Sequence, residues 1–499
     1  MEKIKEEVYA LQKEYSANFD KSRKDTAVIL AAGHGKRIKS HTSKMLHKIW
    51  EVPTVERVFN ACNKGLKESN TILVVGIKAA NVIKVIGKRE NTLFAYQAEQ
   101  NGTGHALQVG IEQIDADDYD GTIYVLPGDM GLIDEETIAK FKADFESSNN
   151  DMMVLTGIYE GDPANNYYGR IIRVKDTDAE GNPSEDAGKV IEIIEHKDIL
   201  AIPDGENYIT EYNGRKYSFT KQELIENNEY NSGVFAFKYQ PLKKMIYEIK
   251  NDNAQGEIYV TDLISIFNKN HLSVGAVSPS KQFVLMGFNN KSVLKKMEAI
   301  ARDLIYDKIK DLVMIEDPDD FYIAEKVVEQ ILEMDKKGIP LDIFIGKGVY
   351  IGKDVKLNYN VEIKHGAYLS GNIQLGENVK IWNRVYLHTY PNQEMILGKN
   401  VQILWNNTIK GNISIDENSI IESSVTITGS DEFPVKIGKN VVIKGISYLF
   451  GCTIEDDIQI EHSILIKKKL YKKLDDNGNV IPLKFYFPEP EGIEIVENL

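Results

Sequence analysis

The segment of this chain best suited to chemistry is Leu30-Ala31-Ala32-Gly33-His34-Gly35-Lys36-Arg37, which closes a short apolar run and leads on to Ser40-His41-Thr42-Ser43-Lys44. Small residues and glycines after a strand let backbone N–H groups approach an anion with no Cβ in the way. Lys36, Arg37 and Lys44 add positive charge to the same loop. A loop of this kind suits a phosphate chain, although glycines alone also suit a plain turn. It is not a Walker loop, because no GxxxxGK[ST] is present, and it is not a dinucleotide fingerprint, because Ile38 stands where the third glycine would be. A second chemical candidate is Asp129, which follows the apolar run Ile123–Leu126. A carboxylate at the carboxyl end of a buried strand is costly unless it is paired, metal-bound or capping the next helix.

The elements around these residues alternate. Ala27–Ala31 reads as a buried strand, Val55, Val58, Phe59 and Cys62 recur at helical spacing, and Ile72–Val75 is again a strand. Thr92–Tyr96, a helix around Thr103–Ile114 and the strand Ile123–Leu126 continue the pattern. Strands alternating with helices imply right-handed crossovers and a mostly parallel sheet. Before them, Ile4, Val8, Leu11, Tyr15 and Phe19 form one apolar stripe, which predicts an amphipathic helix over 1–25 docked on the next domain. Residues 176–186 and 198–229 are polar and poorly periodic, and read as insertions over the sheet. Ser292–Lys310 and Asp319–Lys337 read as helices.

Residues 345–466 repeat. Ile345, Ile351, Leu357, Ile363, Leu369, Leu375, Ile381 and Leu387 are aliphatic at an unbroken period of six, with small apolar residues such as Val349, Val355, Val361, Ala367 and Val379 two positions before. A hexad supplies one short strand and one turn, and three hexads close one triangular coil of a parallel β-helix. The register skips ten residues instead of six between Leu387 and Leu397 and again between Ile427 and Ile437. Six hexads separate the skips, so both inserts should project from the same edge, two coils apart. Asp476-Asn477-Gly478 near the end is a hairpin signal, and the last residues are acidic and expected to be poorly ordered. The expected domains are thus 1–25, a domain over 26–290, a helical linker over 291–342, the β-helix over 343–466, and a hairpin and tail over 467–499.

Composition sets bounds. The 499 residues call for several domains, and the formal charge of −15 argues against a polyanion-gripping surface as the main business of the chain. No apolar stretch approaches the roughly 18–20 residues that span a bilayer, and the charged N-terminus does not read as a signal peptide. Two cysteines, Cys62 and Cys452, placed in different domains, exclude a disulfide framework. A cytoplasmic protein with neither a nucleic-acid nor a membrane partner is the expectation.

The glycine loop resembles the signature of sugar-1-phosphate nucleotidyltransferases, L-A-A-G-x-G-[ST]-R-[ML] with a downstream P-K, and in particular that of the bacterial N-acetylglucosamine-1-phosphate uridylyltransferases. The likeness recurs in order at Gln97–Ala106, Gly128-Asp129, Tyr168-Gly169-Arg170-Ile171, Ile194–Asp198, Asn231-Ser232-Gly233, Asn253–Asp262 and Gly287–Asn290. The resemblance implies an α/β Rossmann-like nucleotidyltransferase domain followed by a left-handed parallel β-helix of hexapeptide repeats, Mg²⁺ as cofactor, and UTP and a sugar-1-phosphate as substrates. It further implies that Leu30, Ala31, Ala32, Gly33 and Gly35 line the nucleotide, that Arg37 holds the β- and γ-phosphates, and that Lys44 holds the α-phosphate and the sugar phosphate. Gln97, Gln100, Gly102 and Thr103 would read uracil, for which a primary amide offers both a donor and an acceptor. Asp129, with Asn289 or its neighbour Asn290, would hold the metal, and Gly169, Glu195 and Asn231 would contact the sugar. His34, His41, His47, His105 and His196 read as hydrogen-bonding or solvated residues and not as catalysts.

The pattern also departs from that family. Lys36 replaces a small hydroxyl residue, Ser43 replaces the proline before Lys44, and Met130-Gly131 replaces an apolar–Pro pair. The β-helix lacks the K-A-G-H-L-x-Y-L-G-D stretch and the N-Y-D-G segment of the family's acetyltransferase site, and its histidines are His365, His388 and His462 alone. The coils are therefore expected to assemble subunits, as a trimer, and not to transfer acetyl groups. The leading expectation is synthesis of UDP-N-acetylglucosamine and pyrophosphate. The alternatives are the same chemistry on another sugar phosphate such as glucose-1-phosphate, and a catalytically silent scaffold.

Overall fold

The computed structural model describes residues 2–33, 35–251, 253, 256–489 and 495. His34, Ala254, Gln255 and most of the acidic tail lie outside the described residues, as does the side chain of Lys36. The chain divides into two compact units, Met1–Met297 and Glu298–Leu499.

The first unit is built on one mixed sheet. Its strands in chain order are β1 (Asp25–Ala31), β2 (Ser69–Val75), β3 (Thr92–Tyr96), β4 (Thr122–Pro127), β5 (Met152–Ile158), β6 (Arg170–Arg173), β7 (Val190–Ile194), then β8 (Glu229–Lys238) and β9 (Val274–Val277). Along the sheet the order is β9-β5-β8-β4-β1-β2-β3, with β6 and β7 paired off β8. β1, β2, β3 and β4 are mutually parallel, and β8 runs antiparallel to both β4 and β5. The continuous apolar runs of β1 and β2 are required because both faces are covered. Ala27, Ile29 and Ala31 enter one core with Val58, Phe59 and Phe141, whereas Val28, Ile72 and Val74 enter the other with Leu107 and Phe267. The mostly parallel sheet expected from the alternation is present, within the Rossmann-like α/β architecture that the resemblance implies.

Helix α1 spans Glu2–Tyr15 and stops short of the expected 25. Val8 is buried and Leu11 and Tyr15 pack on the core, but Ile4 is exposed. After Tyr15 the chain turns away from helix to bond the sheet edge: Ala17 N donates to Thr92 O, and Phe94 N donates to Ser16 Oγ. Phe19 packs edge-on against Tyr119 from coil. The polar stretch 198–229 is more ordered than its sequence suggests. His196–Ala201 and Lys221–Glu226 are helices, and Asn207–Tyr212 pairs antiparallel with Arg215–Thr220. Thr220 and Glu223 form a capping box, and Ile199, Tyr217, Phe219 and Leu224 close a small core with Ile172 and Ile194. Polar side chains on the outer face of a two-stranded ribbon hide its periodicity.

In the second unit the hexads form three parallel sheets. One coil runs Phe344–Ile345, Val349–Ile351, Val355–Lys356, and the next pairs in register with it, Ile345 on Ile363 and Ile351 on Leu369. The aliphatic hexad positions from Ile345 to Leu387 are all buried. The sheets begin earlier than the expected 343, at Met314–Ile315 and Phe321–Ile323, and end later than 466, at Lys469–Leu470 and Leu483–Lys484. The 291–342 segment is therefore not wholly helical. Its helices Lys291–Ile309 and Glu325–Asp335 flank strands that already belong to the coils. One corner of the prism carries Asn360, Asn378, Asn400, Asn418 and Asn440, all with φ between 55° and 61°. Each Nδ2 donates to the Oδ1 of the residue one coil on, ending on Asp457. Asparagine serves here because it tolerates the left-handed conformation and offers both a donor and an acceptor. Along one sheet Tyr322, Tyr350, Tyr368 and Tyr386 stack at 4.5, 4.5 and 5.1 Å.

Both inserts leave the edge between the same two sheets, after Tyr386–His388 and after Thr426–Gly429. They meet: Gln393 Nε2 donates to Asp431 Oδ1 at 2.8 Å. At that edge of the intervening coil stands Gly411 at φ 95°, where a Cβ would collide with Gly429 O.

Asn418→Ala should destabilise the β-helix by about 1–2 kcal/mol, because alanine resists the left-handed backbone and the ladder is cut. Asn418→Gly should cost less. Urea midpoints of the two variants check this, and equal losses would show that the backbone conformation does not matter.

Candidate active site

The sheet register gathers the candidate residues at one edge. β1 and β4 are parallel with Leu30 opposite Pro127, so their carboxyl ends release the glycine loop and Gly128-Asp129 side by side. Gly128 N donates to Leu30 O at 3.0 Å. β3 ends at the same edge, and Gln97 N donates to Val75 O. β8 arrives antiparallel, bringing Asn231 and Gly233 beside Pro127, where a Cβ on Gly233 would lie 2.9 Å from the proline ring. This edge is where open α/β sheets bind ligands.

Within the loop, Ala31 and Ala32 are buried, Leu30 is half-buried and Gly33 is exposed. Gly35 takes φ 58°, and a Cβ there would come within 2.9 Å of Lys44 Cβ, so glycine is needed for both reasons. Arg37 sits exposed on the one-turn helix Lys36–Ile38. Lys44 turns inward. Its Nζ is 2.5 Å from Asp129 Oδ2, donates to Asn289 Oδ1 at 2.9 Å and lies 5.4 Å from the centre of the Phe288 ring. Gly287 lets this happen, since a Cβ would lie 3.2 Å from Asp129 Oδ2. Asn290 points elsewhere: its Oδ1 accepts from Ser292 Oγ and from Val293 N, capping the helix that follows. Of the two asparagines, Asn289 shares a cation with Asp129. A carboxylate and an amide oxygen converging on one ammonium are hard donors of the kind that take Mg²⁺.

Across the edge, the Gln97 side chain is buried. Its Nε2 donates to Gly102 O at 3.2 Å and lies 3.1 Å from His105 Nδ1. Gln100 Nε2 donates to Gln97 O, and Thr103 Oγ1 accepts from Val260 N at the start of the helix Thr103–Ile111. Gly102, at φ 106°, is pressed against Ile258, whose O would be 2.4 Å from a Cβ. The 97–103 loop is therefore held by the 257–260 segment and not by its own turn alone.

The third group surrounds Glu195. Gly169 O accepts from Asn231 N at 2.9 Å, and a Cβ on Gly169 would stand 3.0 Å from Glu195 Oε1. Asn231 Oδ1 accepts from its own Gly233 N at 2.8 Å. Burial, aided by the carboxylates of Asp198 and Asp262, pushes Glu195 up to about 7, against the opposing pull of Arg170. Burial likewise pushes Asp262 up to about 6, with Asp198 and Glu192 adding to it. Arg170 is wholly buried, and its guanidinium donates to the carbonyls of Tyr168 and Asn166. It thereby fixes the loop that carries Gly169. Tyr168 stacks on Tyr230 at 4.6 Å, and burial, with Asp129 adding to it, raises its phenol above the ordinary value. Sequence reasoning gives Arg170, Tyr168, Asp262 and Phe288 no role. The available signal is an arginine heading a strand whose next two residues are isoleucines.

Among the described residues the histidines do not converge on a reacting centre. His47 packs edge-on against Phe288, and burial lowers its affinity for a proton. His105 Nδ1 lies 3.0 Å from Glu99 O. In the coils, His388 lies between Tyr386 and Tyr390, and His462 stacks on Phe485. Cys62 and Cys452 are buried and unpaired, and burial pushes Cys62 up to about 12.

Residues 27–176 match the family model of the MobA-like NTP transferase domain, which places that stretch among NTP transferase domains. Over a longer span the chain is similar to bifunctional protein GlmU of several bacteria. It is 35% identical to that of Acetivibrio thermocellus over 305 residues, 60% of this chain and 57% of the relative. It is 33% identical to that of Caldanaerobacter subterraneus over 68% of this chain and 64% of the relative, and 32% identical to that of Clostridium botulinum over 68% and 65%. The matched part spans between 57% and 65% of the length of these three relatives. Among the described residues no helix is long and apolar enough to cross a membrane.

Glu195 supplies a pH signature. Its folded value is raised, so its contribution to stability is fully present below the ordinary 4.5 and is lost as pH rises through about 7. Glu195→Gln should remove that loss. The variant should gain on the order of 1–3 kcal/mol over wild type at pH 8 and converge with it in acid. Urea midpoints measured across that range should show the two curves separating as pH rises; parallel curves would refute the assignment.

Proposed function

We propose that this protein is a Mg²⁺-dependent uridylyltransferase, joining UTP and N-acetylglucosamine-1-phosphate into UDP-N-acetylglucosamine with release of pyrophosphate. The observation that carries the reading is the meeting of Lys44, Asp129 and Asn289 beside a glycine loop at the carboxyl edge of the sheet. The resemblance of its motifs to those of the bacterial N-acetylglucosamine-1-phosphate uridylyltransferases supports the choice of base and sugar.

An oxygen of the sugar phosphate attacks the α-phosphorus, and the bond from that phosphorus to the bridging oxygen of pyrophosphate breaks. The nucleophile is already ionised, so no general base is required, and catalysis is in-line positioning with neutralisation of charge. Asp129 and Asn289 would hold the divalent cation, which supplies Lewis-acid charge neutralisation across the phosphates. Lys44, which reaches Asp129 from the glycine loop, would hold the α-phosphate and the sugar phosphate. Arg37, exposed on its one-turn helix, takes the β- and γ-phosphates, and the loop from Leu30 to Gly35 lines the nucleotide. Gln97, Gln100, Gly102 and Thr103 read uracil. Gly169 and Asn231 bring backbone and amide to the sugar, and Glu195, when ionised, accepts from its hydroxyls. The flat faces of the β-helix suit assembly of subunits, for which we propose a trimer. The coils lack the acetyltransferase-site stretches of the family, so no acetyl transfer is proposed for them.

Pyrophosphate release from UTP should be fastest with N-acetylglucosamine-1-phosphate in a panel that includes glucose-1-phosphate. Asp129→Ala should lower kcat by roughly 10²–10³-fold or more while leaving the circular dichroism spectrum unchanged. Wild-type rates in that variant would refute the metal assignment, and a preference for glucose-1-phosphate would refute the sugar.

A further inference from the structure

A primary amide can present either its oxygen or its nitrogen to a base, and its fixed neighbours decide which. The Gln97 side chain is only 2% exposed, and its Nε2 donates to Gly102 O at 3.2 Å. That carbonyl is itself anchored. It accepts from Ala106 N at 3.2 Å at the start of the helix Thr103–Ile111, while Asn101 O and Gly104 N on either side of it bond to Ile258. Turning the Gln97 amide over would set Oε1 against Gly102 O, lone pair against lone pair. The nitrogen therefore stays, and its second N–H is left to His105 Nδ1, 3.1 Å away in the first turn of the same helix. Nδ1 also lies 3.0 Å from Glu99 O, but that carbonyl already accepts from Asn101 N at 3.1 Å. A ring nitrogen serves only one of two such neighbours: bare, it accepts from the amide; protonated, it donates to the carbonyl. The second N–H of Gln97 has no other acceptor among the described residues, whereas Glu99 O has its donor. A bare Nδ1, with the ring proton on Nε2, is the arrangement that leaves no buried N–H of Gln97 unpaired.

We propose that His105 is a specificity-determining positioning residue: it completes the commitment of both Gln97 N–H groups to the protein, so that Oε1 alone is offered to the base and a pyrimidine with a ring N–H is selected. The inference rests on the proposed uridylyltransferase reading and deepens it. In the sequence Gln97 has both a donor and an acceptor to offer; in the fold the donors are already taken. Uracil carries O2, N3–H and O4 along its pairing edge, whereas cytosine carries O2, a bare N3 and an amino group. The single donor on that edge of uracil is N3–H, so an amide oxygen that reads uracil must meet it there. The same oxygen meets a lone pair at N3 of cytosine. A site whose buried polar group is left without its partner rejects the analogue far more strongly than a difference in shape would. Gln100 is less committed, since among the described residues its amide makes one hydrogen bond, from Nε2 to Gln97 O.

The test is steady-state pyrophosphate release by the full-length protein with Mg²⁺ and N-acetylglucosamine-1-phosphate, using UTP, CTP and N3-methyl-UTP in turn. Wild type should favour UTP over both others by roughly a hundredfold or more in kcat/KM. His105→Leu removes the acceptor. It should raise the KM for UTP and narrow the preference for UTP over CTP, each by roughly tenfold, with the KM for the sugar phosphate little changed. His105→Asn, whose Oδ1 can stand where Nδ1 does, should restore both. Should the leucine variant lose its circular dichroism signal, His105→Ala takes its place. N3-methyl-UTP used as well as UTP would overturn the proposal, as would a wild-type KM and UTP-to-CTP ratio in His105→Leu. So would an asparagine variant no better than the leucine one. Wild-type protein that turns over no UTP would instead overturn the proposed function, and this inference with it.

Discussion

A carboxylate at the end of a buried strand needs a partner, here the ammonium of Lys44, and the first unit is arranged around that constraint. Asp129 leaves β4 where the parallel register with β1 has just released the glycine loop. Lys44 returns from that loop to meet it, and Asn289 supplies a second oxygen. Both approaches depend on missing side chains, at Gly35 and at Gly287. Breaking one partner of such a pair costs far more than the pair contributes, because an uncompensated charge is left behind. The oxygens that meet this lysine are hard donors of the kind that suit a divalent ion.

How much of this was legible depends on whether the deciding contact is local. The hexads were legible to the residue as far as Ile460, because a triangular coil of fixed perimeter forces an aliphatic side chain inward every sixth position. In the last coil Leu465 and not the expected Ile466 turns inward. The shared edge of the two inserts followed from counting alone. The glycine loop and Asp129 were visible because each directly follows an apolar strand. By contrast, the end of α1 at Tyr15 is set by hydrogen bonds that Ala17 donates to, and Ser16 accepts from, a strand edge some 75 residues on, which no local pattern records. The ribbon within 198–229 escaped notice because one of its faces is solvated. The raised proton affinity of Glu195 comes first from burial and then from Asp198 and Asp262, and both its burial and its proximity to Asp262 exist only in three dimensions.

The two units use different kinds of order. In the sheet of the first unit, unlike residues complement one another: lysine meets carboxylate, and arginine meets carbonyl. In the coils, like stacks on like. Tyrosines continue over four levels and asparagines over five, because each coil presents the same backbone geometry to the next.

The hydrogen bond from Gln393 to Asp431 has a consequence of its own. In an ideal stack each layer feels only the layers directly above and below, so unzipping proceeds one step at a time from a free end. A strap that skips a layer ties the stability of next-nearest neighbours together. Fraying that starts at the carboxyl terminus should therefore pause at the strapped segment, which melts as a block and not rung by rung.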